Sequence, residues 1–226
     1  MRLLSEPSFR LLIVSRFDFL DMVQVKVGPD ETVFTVPRSV LCNVSPFFDA
    51  GFSKSWKENE EKSMKLPESD PNIFSTFLHW AFTGQIELDV EESVPEDGME
   101  DWTILFELYI MGDTFGSKRL KNQVMDRLDA VSEATDVLPG YWDIRDVYAN
   151  VPSNAKLIEW LIDQMVYEAD GSFFEPEAVL SMPNLYAEIL QRYATRCRDG
   201  ESMLLPEDRS KKCYYHEHDE STPECE

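Results

Sequence analysis

Histidine and cysteine are scarce in this chain, at three and four of 226 residues. So few imidazoles restrict the general acid–base designs open to it. Cys42, Cys197, Cys213 and Cys225 are too thinly spread to read as a disulfide framework, which implies a reducing compartment, the cytosol, the nucleus or both. No apolar run approaches the roughly 20 residues that cross a bilayer. The block Leu11–Val14, flanked by Glu6 and Arg16, is too short for the apolar stretch of a secretion signal. Asn43-Val44-Ser45, a glycosylation-type triplet, is therefore read as chance. Basic charge is also in deficit: 21 Lys and Arg stand against 43 Asp and Glu, a net charge of -22. Such a surface repels phosphate backbones and anionic lipid heads, which excludes nucleic acid and membrane as direct partners and favours a basic patch on another protein. Gly-x-Gly-x-x-Gly, P-loop and Gly-x-Ser-x-Gly patterns are all missing. The expectation is a protein that is not an enzyme and carries no cofactor.

What is present suffices for a packed core: 43% hydrophobic and 12% aromatic residues. Val23, Val25 and Val27 alternate with Gln24 and Lys26, Gly28-Pro29-Asp30-Glu31 makes a turn, and Thr32 to Val36 forms a second strand with Phe34 and Val36 on one face. The pattern predicts a β-hairpin. A short helix follows over Arg38–Cys42. Ser45 caps another that starts at Pro46 and carries Phe47, Phe48 and Phe52. Met64 and Leu66 mark a third short strand. Residues 70–84 combine Asp70 as N-cap, Pro71 at the first helical position and Gly84 at the C-terminal cap, around a helix apolar on more than one face.

From Glu87 to Asp101 eight acidic residues occur without Lys, Arg or His, which reads as a solvated surface loop. Two helices follow, from about Trp102 to Thr114 and from about Lys118 to Val131. The second has Leu120, Val124, Leu128 and Val131 in one stripe. After residue 132 strand signals cease. Helices are expected over Tyr141–Asn150, Ser153–Glu168 with Ser153 as cap, and Pro183–Arg196. The division is residues 1–131 with a core over about 21–131, a helical region over 132–206, and an acidic flexible tail over 207–226.

The ordered elements resemble the BTB/POZ domain from about Asp21 to Val131. Val33-Phe34-Thr35-Val36-Pro37-Arg38-Ser39-Val40-Leu41 looks like its second strand and first helix, and Ser45-Pro46-Phe47-Phe48 like its Ser-Pro-aromatic-Phe step. Leu66-Pro67-Glu68-Ser69-Asp70-Pro71 is similar to its entry into the central helix, and Phe82-Thr83-Gly84 to its Tyr-Thr-Gly turn. The flavour resembles that of the many BTB proteins of filamentous fungi. The family's His-Lys after the second strand is replaced by Pro37-Arg38, which argues against repressor-type pocket binding. The resemblance implies an α+β fold, a small sheet flanked by helices with an all-helical C-terminal region, serving as a protein-binding scaffold. It also implies either homodimerisation without ligase linkage or the role of substrate adaptor for a cullin-type ubiquitin ligase. Cullin-binding members carry an apolar–x–Glu motif after the helix that follows the Ser-Pro step. Trp56-Lys57-Glu58 fits it, so Phe52, Trp56 and Glu58 are the expected partner-binding residues.

His79 is read as a packed or partly exposed helix residue and Cys42 as a small buried hydrophobe. The tail places Cys213, His216, His218 and Cys225 within 13 residues as Cys-x2-His-x-His-x6-Cys. Zinc prefers such donors, but the spacing matches no standard finger. A flexible acidic tail without metal is the expectation, and a structural zinc site the alternative.

Overall fold

β1 (Met22–Val27) buries Val23, Val25 and Val27 completely or nearly so, as period-two alternation requires. It pairs antiparallel with β2 (Thr32–Pro37), Val25 opposite Phe34 and Val23 opposite Val36. The turn between them uses left-handed Gly28, at φ 76°. β3 (Ser63–Leu66) joins the other side of β1 in parallel, giving the order β2-β1-β3. The chain is described here by a computed structural model that covers residues 20–52, 61–88, 99–135, 138–168, 174–199 and 213–219, with backbone alone for 99–101, 135 and 199.

The described residues form nine helices: α1 (Arg38–Val44), α2 (Pro46–Gly51), α3 (Pro71–Thr83), α4 (Met99–Thr114), α5 (Lys118–Thr135), α6 (Tyr141–Asn150), α7 (Lys156–Tyr167), α8 (Pro176–Ser181) and α9 (Pro183–Asp199). The fold is α+β, with a small sheet flanked by helices and an all-helical C-terminal region. α3 begins where Asp70 Oδ1 accepts from the amides of Asn72 at 2.7 Å and Ile73 at 3.2 Å. It ends at Gly84, whose φ of 76° lets its amide reach the Trp80 carbonyl at 2.7 Å. Gly116, at φ 67°, separates α4 from α5.

Phe48 is the hub of an aromatic core. Its ring centroid lies 4.9 Å from that of Phe115, 6.2 Å from Phe77, 6.3 Å from Phe52 and 6.4 Å from Phe74. Each such pair contributes about 0.5–1.5 kcal/mol beyond the area it buries. This core is continuous with that of the helical region. One cluster of buried residues runs from Val23 through Leu120, Val124 and Leu128 to Leu157, Trp160 and Tyr215.

Four local readings change. α7 starts at Lys156 behind Ala155, and Ser153 lies in the preceding turn instead of capping it. α8 was not anticipated, having Ala178 as its buried residue. α4 opens at Met99, so the end of the acidic stretch is helical, while residues 89–98 lie outside the described residues. The tail is not free over 213–219, where Tyr215 and His216 are buried against the helices. No described helix is long and apolar enough to cross a membrane.

Candidate protein-interaction site

The Ser-Pro step is built by Ser45. Its hydroxyl donates to the Phe115 carbonyl at 2.8 Å and accepts from the Phe48 amide at 3.3 Å. One buried oxygen thus caps α2 and ties it to the end of α4. Pro46 supplies a preset φ at the first helical position, and Phe48 and Phe52, four residues apart, then face the same way into the core. Phe47 points outward, 37% exposed, and its ring stacks on Phe115 at 5.4 Å.

Phe52, expected at a partner surface, instead has a fully buried side chain. Its helical spacing from Phe48 was the available signal. Trp56 and Glu58 lie outside the described residues. The chain on either side of them is anchored. Phe52 closes the aromatic core on one side, and on the other the Lys62 carbonyl accepts from the Gln24 amide at 2.8 Å. Asp21 reinforces that second anchor. It receives the Lys62 ammonium at 2.8 Å and stands 3.7 Å from the Arg38 guanidinium, and the Lys62 bond holds its carboxyl below the usual carboxylate range.

The remaining candidates do not converge on a catalytic constellation. His79 is exposed and pairs with Glu87 at 3.1 Å. Cys42 is half-buried, its Sγ donating to the Phe48 carbonyl at 3.7 Å, and burial pushes its thiol up, which suits a packing role. A groove of about 590 Å³ between α7 and α9 is lined by Asp163, Tyr167, Glu188, Arg192 and Arg196 among others. Its buried carboxylate is engaged: Asp163 accepts from Arg192 at 3.1 Å and from the Tyr215 hydroxyl at 2.9 Å.

The tail donors fare differently. Cys213, His216 and His218 come together, with one ligand-type atom from each within 4.8 Å of the others. Cys225 lies outside the described residues. Asp126, 3.1 Å from His216 Nε2, joins this group from α5. Nothing in local sequence marked it, because 90 residues separate the pair.

The comparisons agree with the geometry. Two curated relatives, both named Kelch-like protein 40, from Xenopus laevis and Xenopus tropicalis, are each 34% identical over 71 residues. Those residues are 31% of this chain, which spans only 11% of the length of each relative. Both relatives are amphibian, so they add nothing to the fungal resemblance. The family model described as the BTB/POZ domain matches residues 16–129, half of the chain, and takes in β1 to β3, α1 to α4 and most of α5. The chain belongs to the BTB/POZ domain family, whose members act through contacts with other proteins.

Proposed function

We propose that this chain is a substrate adaptor for a cullin-type ubiquitin ligase. Trp56 and Glu58 contact the ligase scaffold, and the helical region from α6 to α9 holds the substrate. What supports this reading is the place of Trp56-Lys57-Glu58 in the sequence. In the sequence the triplet comes four residues after Phe52, the fully buried residue that closes α2, and four before Lys62, whose carbonyl accepts from β1. A large apolar ring fills a partner groove, and the carboxylate takes a charge-assisted hydrogen bond. Co-purification with a cullin, lost on combining Trp56→Ala with Glu58→Lys, tests it. Calorimetry that detects no binding at tens of micromolar, about −6 to −7 kcal/mol, counts against it.

A second reading, self-association without ligase linkage, has its own support. β2 is at the edge of the described sheet, and its Val33 is 52% exposed. An unpaired edge strand offers its backbone groups to another chain. Light scattering distinguishes the two readings: a stable dimer that ignores cullin favours self-association, and a monomer at every concentration excludes it.

A further inference from the structure

Residues 213–219 are held on the helices by one set of side chains while another set converges. Tyr214 donates to Glu159 and Tyr215 to Asp163, each at 2.9 Å. Glu217 exchanges hydrogen bonds with Asn122, its amide donating at 2.8 Å and its carbonyl accepting at 2.9 Å, and its carboxylate receives Lys121 at 2.8 Å. Asp219 pairs with Lys118 at 2.7 Å. These contacts fix the segment against α5 and α7. Between them Cys213, His216 and His218 are brought together. Cys213 Sγ is 3.1 Å from His218 Nε2, the two imidazole centroids are 5.9 Å apart, and the His216 amide closes a turn onto the Cys213 carbonyl at 3.2 Å.

We propose that Cys213, His216 and His218 form a zinc site that pins the C-terminal segment to the helical region. The donor set selects the metal class: one thiolate and two imidazoles suit zinc and do not suit calcium or magnesium, which take oxygen. The geometry is near closure. Donor atoms on a tetrahedral zinc stand about 3.3–3.6 Å apart, given bonds of about 2.0 Å to nitrogen and 2.3 Å to sulfur. The three donors here already lie within 4.8 Å of one another, so side-chain rotation completes the set. His216 supplies the second observation. It is 6% exposed, and its Nε2 is 3.1 Å from the Asp126 carboxylate. That contact gives the imidazole an orienting carboxylate, an arrangement common behind metal-bound histidine. On binding, the Cys213 thiol releases its proton to solvent as the Zn–S bond forms. A tetrahedral zinc takes a fourth ligand, which water supplies.

The site rests on no part of the ligase reading, so the two fail separately. Full-length protein is stripped with a chelator and returned to zinc. One equivalent is expected to be retained after gel filtration and to raise the melting temperature. Cobalt in its place is expected to give tetrahedral d–d bands and a thiolate-to-metal charge-transfer band. Cys213→Ser removes the charge-transfer band, and Asp126→Asn weakens zinc binding about 10–100-fold. If Cys213→Ser does not fold, the wild-type cobalt spectrum decides alone. A folded wild-type chain that retains only trace zinc, or that binds cobalt without a thiolate band, overturns the proposal.

Discussion

The indole rings of Trp102 and Trp160 pack with centroids 6.0 Å apart at 40°, both essentially excluded from solvent. Trp102 lies inside the segment matched by the family model and Trp160 outside it. The two rings join the BTB/POZ region to the helical region in one core, and Trp160 adds a donor bond from its indole N–H to Asp129. Trp160→Ala is expected to cost about 3–5 kcal/mol. Urea unfolding followed by fluorescence and by circular dichroism should give coincident transitions in both proteins. Two separated transitions in the wild type would show that the regions fold independently.

Asp129 makes stability depend on pH in a direction opposite to most carboxylates. Burial raises its pKa, the Trp160 N–H bond opposes that rise, and Glu133 and Asp126 push it up further. A raised acid holds its proton more tightly in the folded state. Its contribution is therefore complete below the ordinary aspartate value of about 3.9, and it is lost as pH rises through the folded value. Asp21, whose pKa is lowered chiefly by Lys62, behaves inversely, losing its contribution as pH falls. Asp129→Asn keeps an acceptor for Trp160 but cannot titrate. The variant should gain stability relative to wild type as pH is raised from the acidic limit toward neutrality. Parallel pH profiles for the two proteins would contradict this assignment.

Local chemistry made much of this fold legible. Alternating Val23, Val25 and Val27 announced β1, and Asp70, Pro71 and Gly84 bounded α3 at both ends. The stripe through Leu120, Val124 and Leu128 placed α5 against the core. Signals that depend on distant partners were invisible. α8 buries little besides Ala178, so no period betrays it. Segment 213–219 is held by bonds to Glu159, Asp163, Asn122 and Lys121, which lie 52–96 residues away in the chain. The candidate donors Cys213, His216 and His218 could be named from composition, but their convergence and the approach of Asp126 could not. Phe52 follows Phe48 by four residues, and that helical spacing puts both rings in the core.

Gly84→Ala should cost about 1–2 kcal/mol, the strain of an L-residue in the left-handed region. Its φ is 76°, and an added Cβ would sit 2.9 Å from Arg119 Nη2. That guanidinium is the flexible end of a side chain resting over the Trp80 ring at 5.7 Å, so it can give way, and the backbone term dominates. Gly84→Asn should cost less, because asparagine enters this region more readily. Thermal denaturation of the two variants checks the order. Equal losses would point to the Arg119 clash instead.

Ser45 offers the sharpest test of how the interaction surface is supported. Its side-chain oxygen serves two backbone groups, donating to the Phe115 carbonyl and accepting from the Phe48 amide, and the residue is 1% exposed. Ser45→Ala leaves both groups without this partner in a place water does not reach. The cost should be about 1–3 kcal/mol, more than the loss of an exposed cap. The loosening should also be local, because α2 loses its N-terminal cap and the hydroxyl bond to the Phe115 carbonyl, while the Phe47 amide still donates to that carbonyl at 3.3 Å. Hydrogen exchange at the Phe48 amide should accelerate well beyond that in α3. If the proposed scaffold contact through Trp56 and Glu58 depends on a rigid α2, cullin affinity should fall in this variant although neither motif residue is touched. Unchanged exchange at Phe48 would mean that Pro46 and the aromatic cluster hold α2 without the serine.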